Sequence, residues 1–291
     1  MQQSWLIIAT FSIAIILRRL GIVTGRTVTL VTDYVIYLSL PCLSVATLAT
    51  TIFSHSHWRV ALMAWGVILL GAFFGWLRAR QHQLPHAQRA AMILVCAFPN
   101  TGFLGYPIAF SLFGAAGLSY AVIFDQIGMF PLFLTLGFAL AGGRESMTAA
   151  LRFPPFIALL VGVALNAGHV QIPPHLLTLL KWIGWTTLPL TVFLIGAKIR
   201  LRPMASPRLV LEALAIRMLL IPGILTIIIL VAGVNALPYR VAIMEAAMPP
   251  ALSTSILAMK YGLDDDLTVT TIGLGTVLAL SLMPLAAFIL S

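Results

Sequence analysis

Ala97-Phe98-Pro99-Asn100-Thr101-Gly102-Phe103-Leu104-Gly105 lies inside a long apolar run. Such a run reads as a helix, but this stretch breaks one. Pro99 removes an amide hydrogen bond and clashes with the preceding turn. Asn100 and Thr101 add polar side chains, and Gly102 and Gly105 loosen the backbone. In hydrocarbon a break of this kind survives only where protein buries it or where it lines a cavity. A second break, Met248-Pro249-Pro250-Ala251-Leu252-Ser253-Thr254, follows about half a chain later. The expectation is that the two breaks meet and form a transport site.

The solvent for most of the chain is lipid. Of 291 residues, 60% are hydrophobic and 9% charged, against about 25% charged in a globular domain. The net charge of +9 reads as membrane topology, not nucleic-acid binding, because the basic residues fall between apolar runs. Cys42 and Cys96 both sit inside such runs, which argues against a disulfide framework or a metal site. The first run, Trp5 to Leu17, is followed by Arg18 and Arg19 and has no basic residue before it. That reverses the signal-peptide pattern and makes it a retained span.

A span needs about 20 apolar residues. Ten candidates follow: roughly 4–20, 30–50, 58–79, 88–112, 117–141, 153–169, 174–197, 208–233, 237–259 and 267–290. The loops after the odd-numbered spans hold thirteen basic residues (Arg18, Arg19, Arg26, Arg78, Arg80, Arg89, Arg144, Arg152, Lys198, Arg200, Arg202, Arg208 and Lys260). The other side holds three, Arg59, Lys181 and Arg240, and Arg217 stays inside span eight. The positive-inside rule then places both termini outside the cell's inner membrane. Asp264, Asp265 and Asp266 weigh little in that rule and read as caps of the last helix.

Five landmarks recur at nearly one offset. Pro41 matches Pro189 at 148 residues, Arg59 matches Arg208, Leu118 matches Leu267 and Ile123 matches Ile272 at 149, and Pro99 matches Pro249 at 150. The expected halves are 1–144 and 150–291, with five spans each. An odd number per half inverts the second repeat in the membrane, the architecture of many secondary transporters. Depth agrees with this. Pro99 comes ten residues after Arg89, and Pro249 and Pro250 nine and ten after Arg240. Each is ~14–15 Å along a helix entering from opposite faces, half the hydrocarbon thickness.

These residues carry a family resemblance. Asn100-Thr101-Gly102-Phe103-Leu104-Gly105-Tyr106-Pro107 after a span-four proline resembles the signature of the auxin efflux carrier (PIN-like) family. Ala247-Met248-Pro249 with Tyr261-Gly262 and Asp264, Leu40-Pro41, and Leu188-Pro189 with Gly196 are similar to other parts of it. The resemblance covers essentially the whole chain. It implies an all-α polytopic fold of ten helices in two inverted five-helix repeats, with broken helices four and nine crossed, related to bile-acid and sodium–proton transporters. It also implies a scaffold of helices 1, 2, 6 and 7, a transport part of the other six, and a homodimer. Plant members move auxin, and bacterial members are associated with small carboxylates such as malonate or malate. Two features depart from the plant pattern. Only about ten residues, Gly142 to Leu151, separate the halves, and neither break is an Asn-Pro.

At a broken-helix crossing, half-helix N-termini favour anions and C-terminal carbonyls favour cations. The substrate-binding candidates are Asn100, Thr101, Gly102, Ser253 and Thr254, the helix-breaking residues being Pro99, Pro249 and Pro250. The plainer reading is that these side chains only satisfy backbone groups released by the prolines. Asp125, with Gln126 beside it, and Glu245 are intramembrane acids and therefore functional candidates. Either is suited to a coupling proton or sodium ion, or to an internal ion pair with Arg217. Arg217 is also a candidate to face an anionic substrate. Pro41 and Pro189 are expected to kink the scaffold. No His-Glu-x-x-His, Gly-x-Ser-Gly or P-loop motif is present, which argues against an intramembrane enzyme and against ATP-driven transport. The reading is a secondary transporter of small organic anions by alternating access, without cofactor. A channel or a sensor on the same fold is the alternative.

Overall fold

The computed structural model describes residues 2–142, 153–198 and 206–290. Arg144, Arg152, Arg200 and Arg202, and the expected junction at 144–150, lie outside them. The described chain is helical: α1 (Gln2–Arg19), α2 (Gly25–Thr50), α3 (His55–Gln81), α4 (His86–Ala97), α5 (101–113), α6 (115–140), α7 (Pro154–Ala167), α8 (Pro174–Lys198), α9 (Pro207–Val231), α10 (Leu237–Ala246), α11 (Leu252–Lys260) and α12 (Asp265–Leu290). Among the described residues six runs are long and apolar enough to cross a membrane: α2, α3, α5 with α6, α8, α9, and Asp265–Leu282 of α12. α7 is a shorter apolar helix. The chain is an integral membrane protein, and large apolar side chains such as Leu62, Trp182 and Leu230 lie exposed on its surface.

Local sequence accounts for where these helices start, stop and loosen. Ser54 caps α3 reciprocally with His57, whose Nδ1 accepts the Ser54 amide at 3.0 Å. Asp264 caps α12, accepting the Leu267 amide at 2.8 Å. Gly114, at φ +65°, divides the long run into α5 and α6. With ψ at −157° this is a conformation that essentially only glycine adopts, and a residue with a Cβ would cost about 1–3 kcal/mol there. Proline lacks the amide that would bond back one turn, so the turn before it widens to π geometry. This occurs at Val35–Ser39 before Pro41, at Phe124–Met129 before Pro131 and at Ile216–Leu220 before Pro222. Pro189 follows the interruption of α8 at Thr186.

Two glycines set the closest helix approach. Gly71 and Gly75 turn one face of α3 onto α4, and a Cβ on Gly75 would stand 3.0 Å from the Ile93 Cα. α1 lies along the second half of α8, and α2 packs between α7 and the first half of α8. α3 also touches α6 and α10, and α12 touches α4, α9 and α11. The result holds the ends of α4, α5, α10 and α11 in the protein interior, where Phe98, Asn100, Thr101, Ala246 and Ala251 are all buried.

Candidate functional site at the crossing of two broken helices

The two breaks lie against each other. The Asn100 amide donates to the Pro249 carbonyl at 2.7 Å, and the Ala251 amide donates to the Phe98 carbonyl at 2.9 Å. This antiparallel bridge centres on Pro99 and Pro250. The prolines release backbone groups, and each break satisfies part of what the other has lost. Four half-helix ends therefore meet here: the C-termini of α4 and α10 and the N-termini of α5 and α11.

Arg217 serves both C-termini. It is fully buried in the wide turn of α9. One guanidinium nitrogen donates to the Cys96 and Ala97 carbonyls, each at 3.1 Å, and the other donates to the Ala246 carbonyl. A delocalised cation with forked donors suits two converging negative dipole ends. Neither Asp125 nor Glu245 forms an ion pair with it among the described residues. The ion-pair reading of Arg217 therefore gives way to a backbone one.

Asp125 faces the N-terminus of α5. Thr101 donates its hydroxyl to one carboxylate oxygen. Tyr106 donates to the other at 2.7 Å, and Gln126 also donates to it at 3.1 Å. Gly102 borders the same carboxylate, since a Cβ there would lie 3.5 Å from it. The protein's own carboxylate thus occupies the place beside Thr101 and Gly102 where a substrate carboxylate was expected. The N-terminal amides of α5 have no carbonyl within their own helix, and negative charge beside such an end is favoured.

Glu245 is held differently. It is fully buried on α10, its carboxylate lies over Gly105, and among the described residues neither of its oxygens has a hydrogen-bond partner. A Cβ on Gly105 would collide with it. The Asn100 side-chain nitrogen is also buried and has no hydrogen-bond partner among the described residues, while the Asn100 backbone carbonyl accepts the Gly105 amide at 3.0 Å. One turn of backbone thus joins an unused donor to an unused acid. At α11 the Thr254 hydroxyl donates to the Ala251 carbonyl at 2.7 Å, which is the plainer of the two readings for that residue. Ser253 is half-buried in the first turn.

The spacing did not point to Tyr106. It lies five residues after Thr101, and on an α-helix positions five apart diverge by about 140°. The π turn Thr101–Gly105 brings both onto Asp125. Glu212 sits away from the crossing, near Arg208, and binds Arg78 at 2.6 Å, His82 at 2.8 Å and Arg208 at 3.0 Å.

Buried charges at a crossing of interrupted helices, inside an all-helical membrane chain, define a membrane transport protein. A family model described as membrane transport protein matches residues 6–150 and 143–287. The chain belongs to that family, the auxin efflux carrier or PIN-like family. It is similar to an uncharacterized transporter of Methanothermobacter thermautotrophicus, 31% identical over 231 residues, covering 76% of this chain and 74% of the relative. It is also similar to an uncharacterized transporter of Methanocaldococcus jannaschii, 27% identical over 285 residues, covering 93% and 92%.

Proposed function

We propose that the protein is a secondary transporter that moves small organic anions, mono- or dicarboxylates, by alternating access, coupled to protons or sodium. The observation that carries this reading is the pairing of Phe98–Asn100 with Pro249–Ala251, with an unused buried donor at Asn100 and an unused buried acid at Glu245 beside it. Asn100, helped by the N-terminal amides of α11 around Ser253, holds the substrate carboxylate. Glu245 holds the coupling proton or cation. Asp125, fixed by Thr101, Tyr106 and Gln126, keeps the α5 end neutralised through the cycle. Arg217 does the same for the ends of α4 and α10.

The reading includes ten spans in two inverted repeats, in a multi-pass inner-membrane protein with both termini outside and a homodimeric assembly. Counting α4 with α5, and α10 with α11, as one span each makes ten. Two contacts support the repeat. Ser39 and Thr187, 148 residues apart, are joined by a hydrogen bond of 3.0 Å, and Arg217 joins the Cys96 and Ala246 carbonyls, 150 residues apart. The packing of α1 with α8 and of α2 with α7 and α8 supports a scaffold that stays still while the remaining helices move. The test is a proteoliposome screen of mono- and dicarboxylates under imposed pH and sodium gradients. Saturable uptake with counterflow is the expected result. Large unitary currents without counterflow would replace the carrier by a pore.

A further inference from the structure

A cavity of about 490 Å³ lies apart from the crossing, bounded by α2, the start of α3, the start of α6 and the first half of α8. Its size falls within the range of small-molecule sites, about 300–1,000 Å³. Lys181 lines it, together with His57, Leu43, Leu118, Tyr120 and Trp185. Lys181 stands seven residues inside α8, between Leu180 and Trp182, some 10 Å along the helix. A cation at such a position is costly unless it faces water or a partner, and by default it marks a solute path. No carboxylate lies among the residues that line this cavity.

The other polar groups leave the charge to Lys181. Thr50 and Thr51 donate back into their own helix at 2.7 Å each. Thr51 has then spent its one hydrogen, so the Ser119 hydroxyl, 3.1 Å away, is the donor of that pair. His57 Nδ1 accepts the Ser54 amide, which leaves the ring proton on Nε2 and the imidazole neutral. His57 also stacks on Tyr120, with centroids 4.6 Å apart. The rest of the wall is largely apolar. A second cavity of about 320 Å³ shares Trp185 and reaches Pro107 and Phe110 of α5, next in sequence to the Tyr106 that binds Asp125. The two cavities therefore adjoin at Trp185, and the second borders the helix that carries Tyr106.

We propose that the Lys181 cavity is an antechamber that binds an organic anion bearing one negative charge on an apolar body. One cation compensates one carboxylate, and a second carboxylate would find no second cation among the lining residues. Lys181 supplies the counter-charge, and Trp185 and Tyr120 supply the apolar surface. The assignment rests on the organic-anion reading above, and the experiment separates the two.

The probe is benzoate, with neutral benzamide as its shape match, titrated against the full chain in detergent by tryptophan fluorescence, with Trp185→Phe identifying the reporting residue. Wild type is expected to bind benzoate at least tenfold more tightly than benzamide. Lys181→Met is expected to lose that tenfold preference while keeping its benzamide affinity and its melting temperature. Equal benzoate affinity in wild type and Lys181→Met, as for a lysine that only reaches back to the headgroups, overturns the antechamber even if carboxylate uptake is found. Lys181-dependent binding without uptake of any anion upholds the cavity and removes the carrier reading.

Discussion

The carboxylate of Glu245 lies over Gly105, on the space that any Cβ at that position would fill. α5 and α10 can approach this closely only because position 105 carries no side chain. Gly105→Ala is therefore expected to destabilise the protein by about 1–3 kcal/mol through overpacking, lowering the melting temperature by roughly 2–10 °C. Adding Glu245→Ala should recover much of that loss, since contacting sites couple. Thermal unfolding of the two single variants and the double variant in detergent checks it. Strictly additive losses would show that the two residues do not meet.

Glu245→Gln keeps the shape of the side chain and removes its charge. The expected outcome is a folded protein whose uptake under the gradient that drives wild type, proton or sodium, falls at least tenfold, while exchange without a gradient persists. Uptake assays in proteoliposomes with imposed gradients measure both. An unchanged gradient response would take Glu245 out of the coupling step.

Arg217 holds three carbonyls at two helix ends. Replacing it with Leu leaves them buried without donors, at about 1–3 kcal/mol for each orphaned group. Arg217→Leu is expected to lower the melting temperature by roughly 5–10 °C or more. Arg217→Lys should fare little better, because a point-like ammonium cannot fork between Ala97 and Ala246. Recovery by Lys would show that charge alone, without geometry, is what the ends require.

Asp125 accepts from Thr101, Tyr106 and Gln126. Tyr106→Phe removes one donor and is expected to cost about 1–2 kcal/mol. Asp125→Asn is expected to cost more, because it also removes the charge facing the α5 end. Melting temperatures ordered wild type, Tyr106→Phe, Asp125→Asn would agree. The reverse order would mean that the carboxylate is a burden at this site.

Much of the frame was legible because its causes are local. Prolines with polar neighbours in an apolar run marked both breaks, and two positions at equal depth foretold their contact. Asp264 before the last helix announced its cap. What stayed hidden depends on distance in the chain or on altered helix geometry. Nothing near Arg217 names carbonyls 120 residues earlier. Tyr106 shares a face with Thr101 only because the turn between them is wide. That Asp125 sits where a ligand anion was expected follows from how α6 packs, which no periodicity records. Lys181 read as one of few basic residues on its side, and only folding gives it a cavity.

The most direct measurement is counterflow of a labelled carboxylate, taken from the hits of the screen, into proteoliposomes bearing wild type or Asn100→Ala. Wild type should accelerate exchange saturably. Asn100→Ala, matched for expression and melting temperature, should fall to within a few per cent of protein-free vesicles. Exchange by Asn100→Ala at the wild-type rate would contradict the account, because the unpaired donor at the crossing would then have no part in holding the anion.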